Sequence, residues 1–197
     1  MTTDRVEGKK GNGTRSRADC TVLVAPLSGI VIPITEVPDP TFSERMLGDG
    51  IAIDPISDVL LAPCDGTITQ LHKASHALTL TTPSGIEILM HIGLETVLLK
   101  GNGFTPMVKE GDRVRTGDKL IAFAQGYLVE NAASLLTLIV VSSGGQIVFS
   151  HKPSAIVEAG NQTLMELISD NAARGNGTFY CSHFCCDQCK TVGAACC

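Results

Sequence analysis

The chain has 197 residues, of which 44% are hydrophobic and 18% charged, with a formal net charge of −5 at pH 7. That balance supports a packed core in one domain of ordinary size with tails, and the absence of any Lys/Arg cluster interleaved with aromatics argues against a nucleic-acid surface. Six Phe, two Tyr and no Trp leave few platforms for stacking bases or sugars, and no apolar run is long enough to span a bilayer.

Residues 1–19 carry only Met1, Val6 and Ala18 as apolar members. They are expected to form a disordered tail with neither a secretory signal nor an amphipathic anchor, which makes the cytoplasm the expected location. From Thr21 to about Phe149, short apolar runs alternate with Gly, Pro and Asp in the manner of an all-β barrel or sandwich. Helical periodicity is weak, with turns expected at Pro40–Leu47 and Tyr127–Ala133; Gln162–Asp170 reads as a short strand or helix end. An internal echo links Val24-Ala25-Pro26-Leu27-Ser28-Gly29-Ile30 to Leu61-Ala62-Pro63-Cys64-Asp65-Gly66-Thr67, each a strand that bends at Pro and turns at Gly. A second echo links Lys109-Glu110-Gly111-Asp112-Arg113-Val114 to Thr116-Gly117-Asp118-Lys119-Leu120, two tight turns of the kind found in barrel-sandwich hybrids.

Cysteine usage divides the chain. Residues 1–180 hold only Cys20 and Cys64, ordinary for a reduced compartment, whereas six cysteines crowd into 181–197. Residues 169–197 are therefore read as a Cys-rich extension outside the domain, foreign or out of frame. Zinc binding through Cys185, Cys186, Cys189 and His183 is the lesser reading, because the tail brings no core of its own.

His76 and His91 bracket the run HALTLTTPSGIEILMH. Leu, Ile and Thr flank a Pro-Ser-Gly turn signal, so the run is expected to be a β-hairpin with a histidine at each open end. A turn symmetric about Pro83 and Ser84 pairs 81 with 86 and 76 with 91, with Cβ atoms roughly 4.5–5.5 Å apart on one face. A bulge at Gly85 would shift the register by one and send the two rings to opposite faces. The symmetric register is the expectation adopted. Imidazoles that close can share a phosphoryl group, a metal or a proton.

The collinear motifs VAPLSG (24–29), VPDPTFSERMLGDGIAIDP (37–55), APCDGTI (62–68), HALTL (76–80), GIEILMHIGLETVLLKGNGF (85–104) and VKEGDRVRTGDKLIAF (108–123) together resemble one family. It is the enzyme IIA domain of the glucose/N-acetylglucosamine branch of the bacterial phosphotransferase system. The resemblance implies a compact antiparallel β-sandwich over residues 20–168, and a phosphoryl relay that receives its group from the phosphocarrier HPr and passes it to a IIB cysteine for sugar uptake. It places the phosphorylated histidine of the HxGxDTVxLxG motif on His91 and the histidine of the HA motif on His76. A partner-docking patch falls on Phe42, Leu47 and Val97, with Glu95 at the motif's acidic position. Three residues depart from the pattern: Glu95 stands for Asp, Ala74 for a Thr two residues before His76, and Ala124 for a closing Asp.

The chemistry suits these residues. A neutral imidazole is a good nucleophile near pH 7, and phosphoryl transfer needs in-line positioning and charge stabilisation more than covalent help. His91 is expected to present one nitrogen while a backbone carbonyl holds the other, and His76 to contact a phosphoryl oxygen. His72, His151 and His183 are read as ordinary histidines. No cofactor is required, although the two imidazoles could recruit Zn²⁺ if a partner carboxylate completed the site. A lysostaphin-like zinc peptidase is the main alternative, disfavoured because the sequence has no His-x-His. A biotinyl or lipoyl carrier lacks a suitable Lys, since Lys109 and Lys119 sit inside the Gly-Asp echoes. A purely regulatory binding domain is compatible with the relay.

Overall fold

A computed structural model describes residues 20–170. The expectations for residues 1–19 and for the cysteines after 180 lie outside the described residues. The strands are β1 (Cys20–Val24), β2 (Gly29–Pro33), β3 (Asp49–Pro55), β4 (Val59–Leu61), β5 (Gly66–Leu71), β6 (Ala77–Thr81), β7 (Glu87–His91), β8 (Phe104–Pro106), β9 (Arg113–Val114), β10 (Lys119–Phe123), β11 (Thr137–Ser143), β12 (Gly145–Ser150), β13 (Ile156–Val157) and β14 (Thr163–Ser169). Two short helices, α1 (Pro40–Ser43) and α2 (Gln125–Asn131), occupy the two places where helical turns are expected. β14 resolves the ambiguous last segment as a strand.

Every strand pairing is antiparallel. The large sheet runs β13-β2-β3-β11-β7-β6-β5-β9, and two three-stranded sheets, β1-β14-β12 and β4-β10-β8, complete the sandwich. This is the all-β architecture that the short, punctuated runs predict.

The two sequence echoes prove to be one structural device used twice. Val24 N–H donates to the Pro63 carbonyl (2.8 Å) and Leu61 N–H to the Pro26 carbonyl (2.9 Å), so the two Ala-Pro arms bond to each other reciprocally. Each arm then grips its own turn: Ala25 through Gln162 and Gly160, Ala62 through Asp118 and Gly117. The Gly-Asp turns are likewise alike. Asp112 accepts from the Lys109 N–H at 3.0 Å, Asp118 from the Arg115 N–H at 2.7 Å, and the glycine before each aspartate has φ near +90° (88° and 86°).

Strands β3 and β11 are covered on both faces, which explains their near-continuous apolar runs, whereas β7 buries one face and leaves Glu87, Leu89 and His91 partly open on the other. Ile51, Ile53, Ile88, Met90, Ile139 and Val141 face the main core. Ala52, Leu138 and Val140 face the other way, into a second cluster closed by Ile34, Val37, Phe42 and Leu94. The lid of that second cluster is the segment between β2 and β3, which carries α1. Asp39 caps α1 by accepting from the Thr41 N–H at 2.9 Å, and Pro40 sits at the first helical turn, where its missing N–H costs nothing. Each large side chain buried there contributes ~1.5–3 kcal/mol, enough to hold a short helix that would not form alone.

Candidate functional site

The hairpin forms where expected, but in the shifted register. Ala77, not His76, pairs with His91, and Thr81 pairs with Glu87. The loop is Pro83-Ser84-Gly85, closed by Thr82 N–H to the Ile86 carbonyl (2.9 Å), with Gly85 at φ +84°. Proline is confined to φ near −65°, so it cannot take the positive φ that a two-residue hairpin turn demands at its first position. The loop therefore takes a third residue, and glycine supplies the left-handed one.

The shift does not separate the rings. Ser75 has φ +53°, which breaks the strand just before His76 and frees that side chain from the alternation of β6. The ring centroids of His76 and His91 lie 4.8 Å apart at an interplanar angle of 79°. The backbone still holds the ends together, since Ile92 N–H donates to the His76 carbonyl at 2.8 Å.

His91 ends β7 and is half-buried. Its Nδ1 lies 2.8 Å from the Gly93 carbonyl. A carbonyl only accepts, so Nδ1 carries the hydrogen and Nε2 keeps a lone pair for chemistry. Gly93 turns its carbonyl back at φ +72°, where a Cβ would strike Thr96 Cγ2 (2.6 Å) and the Ser134 carbonyl (2.9 Å). Thr96 pins the following 3₁₀ turn, Thr96–Leu99, by donating to the Ile92 carbonyl at 2.7 Å. Burial lowers the His91 pKa, opposed by the Gly93 bond and by the negative charge of Asp39. Burial thus favours the neutral form of the His91 ring.

His76 is only 3% exposed, and its pKa is pushed down to about 4, first by burial and then by His91 and His72. Its Nδ1 is buried and, among the described residues, has no hydrogen-bond partner. Phe104 borders the ring at 6.4 Å, and His72 meets it edge-on at 4.4 Å. His72, read from the sequence as an ordinary histidine, is exposed but lies in the same ring cluster. Its signal in the sequence is the His72-Lys73-Ala74-Ser75-His76 spacing across a tight turn, which brings the first and fifth side chains together.

The residues expected to dock partners take different positions. Phe42 is 5% exposed and packs on His91 at 5.5 Å, so it is a floor under the histidine and not an open contact. Leu47 and Val97 are 42% and 46% exposed. Leu47 borders a shallow groove with Thr79, Glu87 and Leu89 on the face that carries His91. Val97 projects from the 3₁₀ turn, beside the more exposed Leu98. Glu95 is exposed, in the left-handed region at φ 58°, and its side chain does not cap that turn. Among the described residues no group of three His, Cys, Asp or Glu is placed to hold a metal ion.

Residues 21–171 match the family described as phosphoenolpyruvate-dependent sugar phosphotransferase system, EIIA 1. A glucose-specific EIIA component of Halalkalibacterium halodurans is 42% identical over 160 residues, covering 81% of this chain and 92% of that protein. One from Bacillus cereus is 47% identical over 135 residues, covering 68% of this chain and 82% of its own. The glucose permease IIA of Mycoplasma capricolum superposes with a TM-score of 0.70 at 34% identity, over 75% of this chain and 95% of that one. The chain therefore belongs to the EIIA family of the phosphoenolpyruvate-dependent sugar phosphotransferase system, and is a phosphoryl-relay component of it.

Proposed function

We propose that His91 is the residue that carries the phosphoryl group, and that His76 steadies it during transfer. The observation that carries this reading is the Nδ1 bond of His91 to the Gly93 carbonyl, which fixes the tautomer and leaves Nε2 as the nucleophile. In the loading step Nε2 of His91 attacks the phosphorus of phospho-HPr. An N–P bond forms at His91, the N–P bond on HPr breaks, and the HPr imidazole leaves with the electron pair. In the unloading step a thiolate of a IIB domain attacks the same phosphorus, an S–P bond forms, and the pair returns to Nε2. Each exchange needs in-line approach and a polar contact to the equatorial oxygens, which His76 supplies through a ring N–H.

Docking falls on the exposed apolar residues around the histidines, Leu47 and Val97, with Phe42 supporting His91 from below and Glu95 adding negative charge at the rim. A small, transient contact of less than ~1,200 Å² suits partners that must exchange rapidly. No dissociable cofactor enters either step. A zinc ion would find one nitrogen from each of His76 and His91 and would need a partner's carboxylate to complete its shell. We place the relay in the cytoplasm, where phosphoenolpyruvate is made; among the described residues no helix is long and apolar enough to cross a membrane.

The test is labelling by phosphoenolpyruvate, enzyme I and HPr, read as an acid-labile mass increment on the His91 peptide. His91→Gln is expected to lose all label, and full labelling of that variant would refute the assignment. His76→Gln should accept normally but donate to IIB more slowly by roughly tenfold or more, the usual worth of a positioned polar catalyst. Equal donation rates would remove its role.

A further inference from the structure

An imidazole that must meet a phosphoryl group needs a fixed ring, and the usual device is a hydrogen bond to the nitrogen that does no chemistry. His91 has that bond, to Gly93. His76 does not: its Nδ1 is buried and unpartnered among the described residues. Ala74, two residues before it, has no polar side-chain atom to offer. What surrounds the His76 ring instead is three other rings, of which His72 is the nearest, at 4.4 Å and 66°.

His72 is itself held in place. Its N–H donates to the Ala77 carbonyl (2.9 Å) and its own carbonyl accepts from the Ser75 N–H (2.7 Å), closing a tight turn over 72–75. Its Nδ1 accepts from the Ala74 N–H at 3.3 Å, so the ring is tied as well as the backbone. The left-handed Ser75 at φ +53° bends the chain so that this exposed ring stands against the buried one.

We propose that His72 is a positioning residue of the phosphoryl relay: its ring, locked into the 72–75 turn, takes the place of the missing hydrogen bond and holds His76 at the angle from which it reaches a phosphoryl group on His91. This rests on the relay reading above and adds a third histidine to it. His72 touches neither the nucleophile nor the incoming group; it acts through His76.

The test uses the full chain with phosphoenolpyruvate, enzyme I, HPr and a IIB domain, with loading and donation timed separately by rapid quench. Labelling of the wild-type chain at His91 is the check on the relay itself, and its failure would overturn both readings together. With labelling in hand, His72→Ala is expected to slow donation roughly threefold to tenfold, the worth of one edge-to-face ring pair. Loading should stay within about twofold of wild type, because it depends on His91. His72→Phe keeps a ring at the position and should recover most of the lost rate. In a His76→Gln background, His72→Ala should slow donation no further, since the ring it positions is gone. Wild-type donation by His72→Ala, no recovery by His72→Phe, or an equal additional loss in the double variant would overturn the role of His72 while leaving the relay standing.

Discussion

With its ring almost wholly covered, His76 holds a proton poorly, and that has a consequence for stability. Its folded-state pKa is about 4, against ~6.5 in an unfolded chain. His91 is lowered in the same direction, also chiefly by burial. Between these pH values the unfolded state binds a proton at position 76 that the folded state refuses, so stability rises with pH across the window and is lost as pH falls through it. The loss from this one group is about 3 kcal/mol once pH has fallen from 6.5 to 4. Urea melts of the wild-type chain and of His76→Gln at pH 7.5 and 4.5 measure it. The wild type should lose about 2–3 kcal/mol more than the variant over that interval. Equal losses would mean that the ring is not buried as a neutral group.

At the scale of the element, the hairpin shows how near the sequence came to stating its own register. Pro83 rules out the symmetric turn on backbone grounds alone, and Gly85 is the one residue of the loop suited to a left-handed third position. Both facts are legible in the sequence. What is not legible is Ser75, a non-glycine residue at positive φ, whose bend rescues the meeting of His76 and His91 after the shift. That conformation is held by the turn bonds around it and not by any preference of serine. The same distinction predicts two unequal glycine substitutions. Gly85→Ala meets no atom within 4 Å and is opposed only by its φ of +84°, so it should cost about 1 kcal/mol. Gly29→Ala would drive a Cβ into the Asp54 carbonyl and Ile53 on the adjoining β3. It should cost about 3 kcal/mol, because backbone in a paired strand cannot yield. Equilibrium unfolding of the two variants checks the order; a costlier Gly85→Ala would mean that the loop packs against something beyond the described residues.

For the whole molecule, the echoes in the sequence announced a repeated unit but not its partners. Reciprocal bonds such as Val24 to Pro63 and Leu61 to Pro26 join segments far apart in the chain, and the large sheet inserts β11 between β3 and β7. Local propensity and turn chemistry carry no information on such pairings, which is why the all-β class could be read and the strand order could not. The same limit hid the setting of Phe42: its apolar character is plain, but only the second core cluster reveals that it lies beneath His91. The pairings also say which parts the relay needs. β1 and β14 pair with each other from Cys20–Ile168 to Val24–Thr163, so the ends of the described chain close one three-stranded sheet, and the family match stops at residue 171. A chain ending after Asp170 retains every described strand of the sandwich and the three clustered rings of His72, His76 and His91. It should therefore accept and donate a phosphoryl group at rates within about twofold of the full chain, a change too small to reflect lost transition-state contacts. Parallel relay assays of the two lengths decide the matter: a large loss in the shorter chain would make residues 171–197 a working part of the protein, and would turn the six cysteines there from an appendage into a feature that the relay requires.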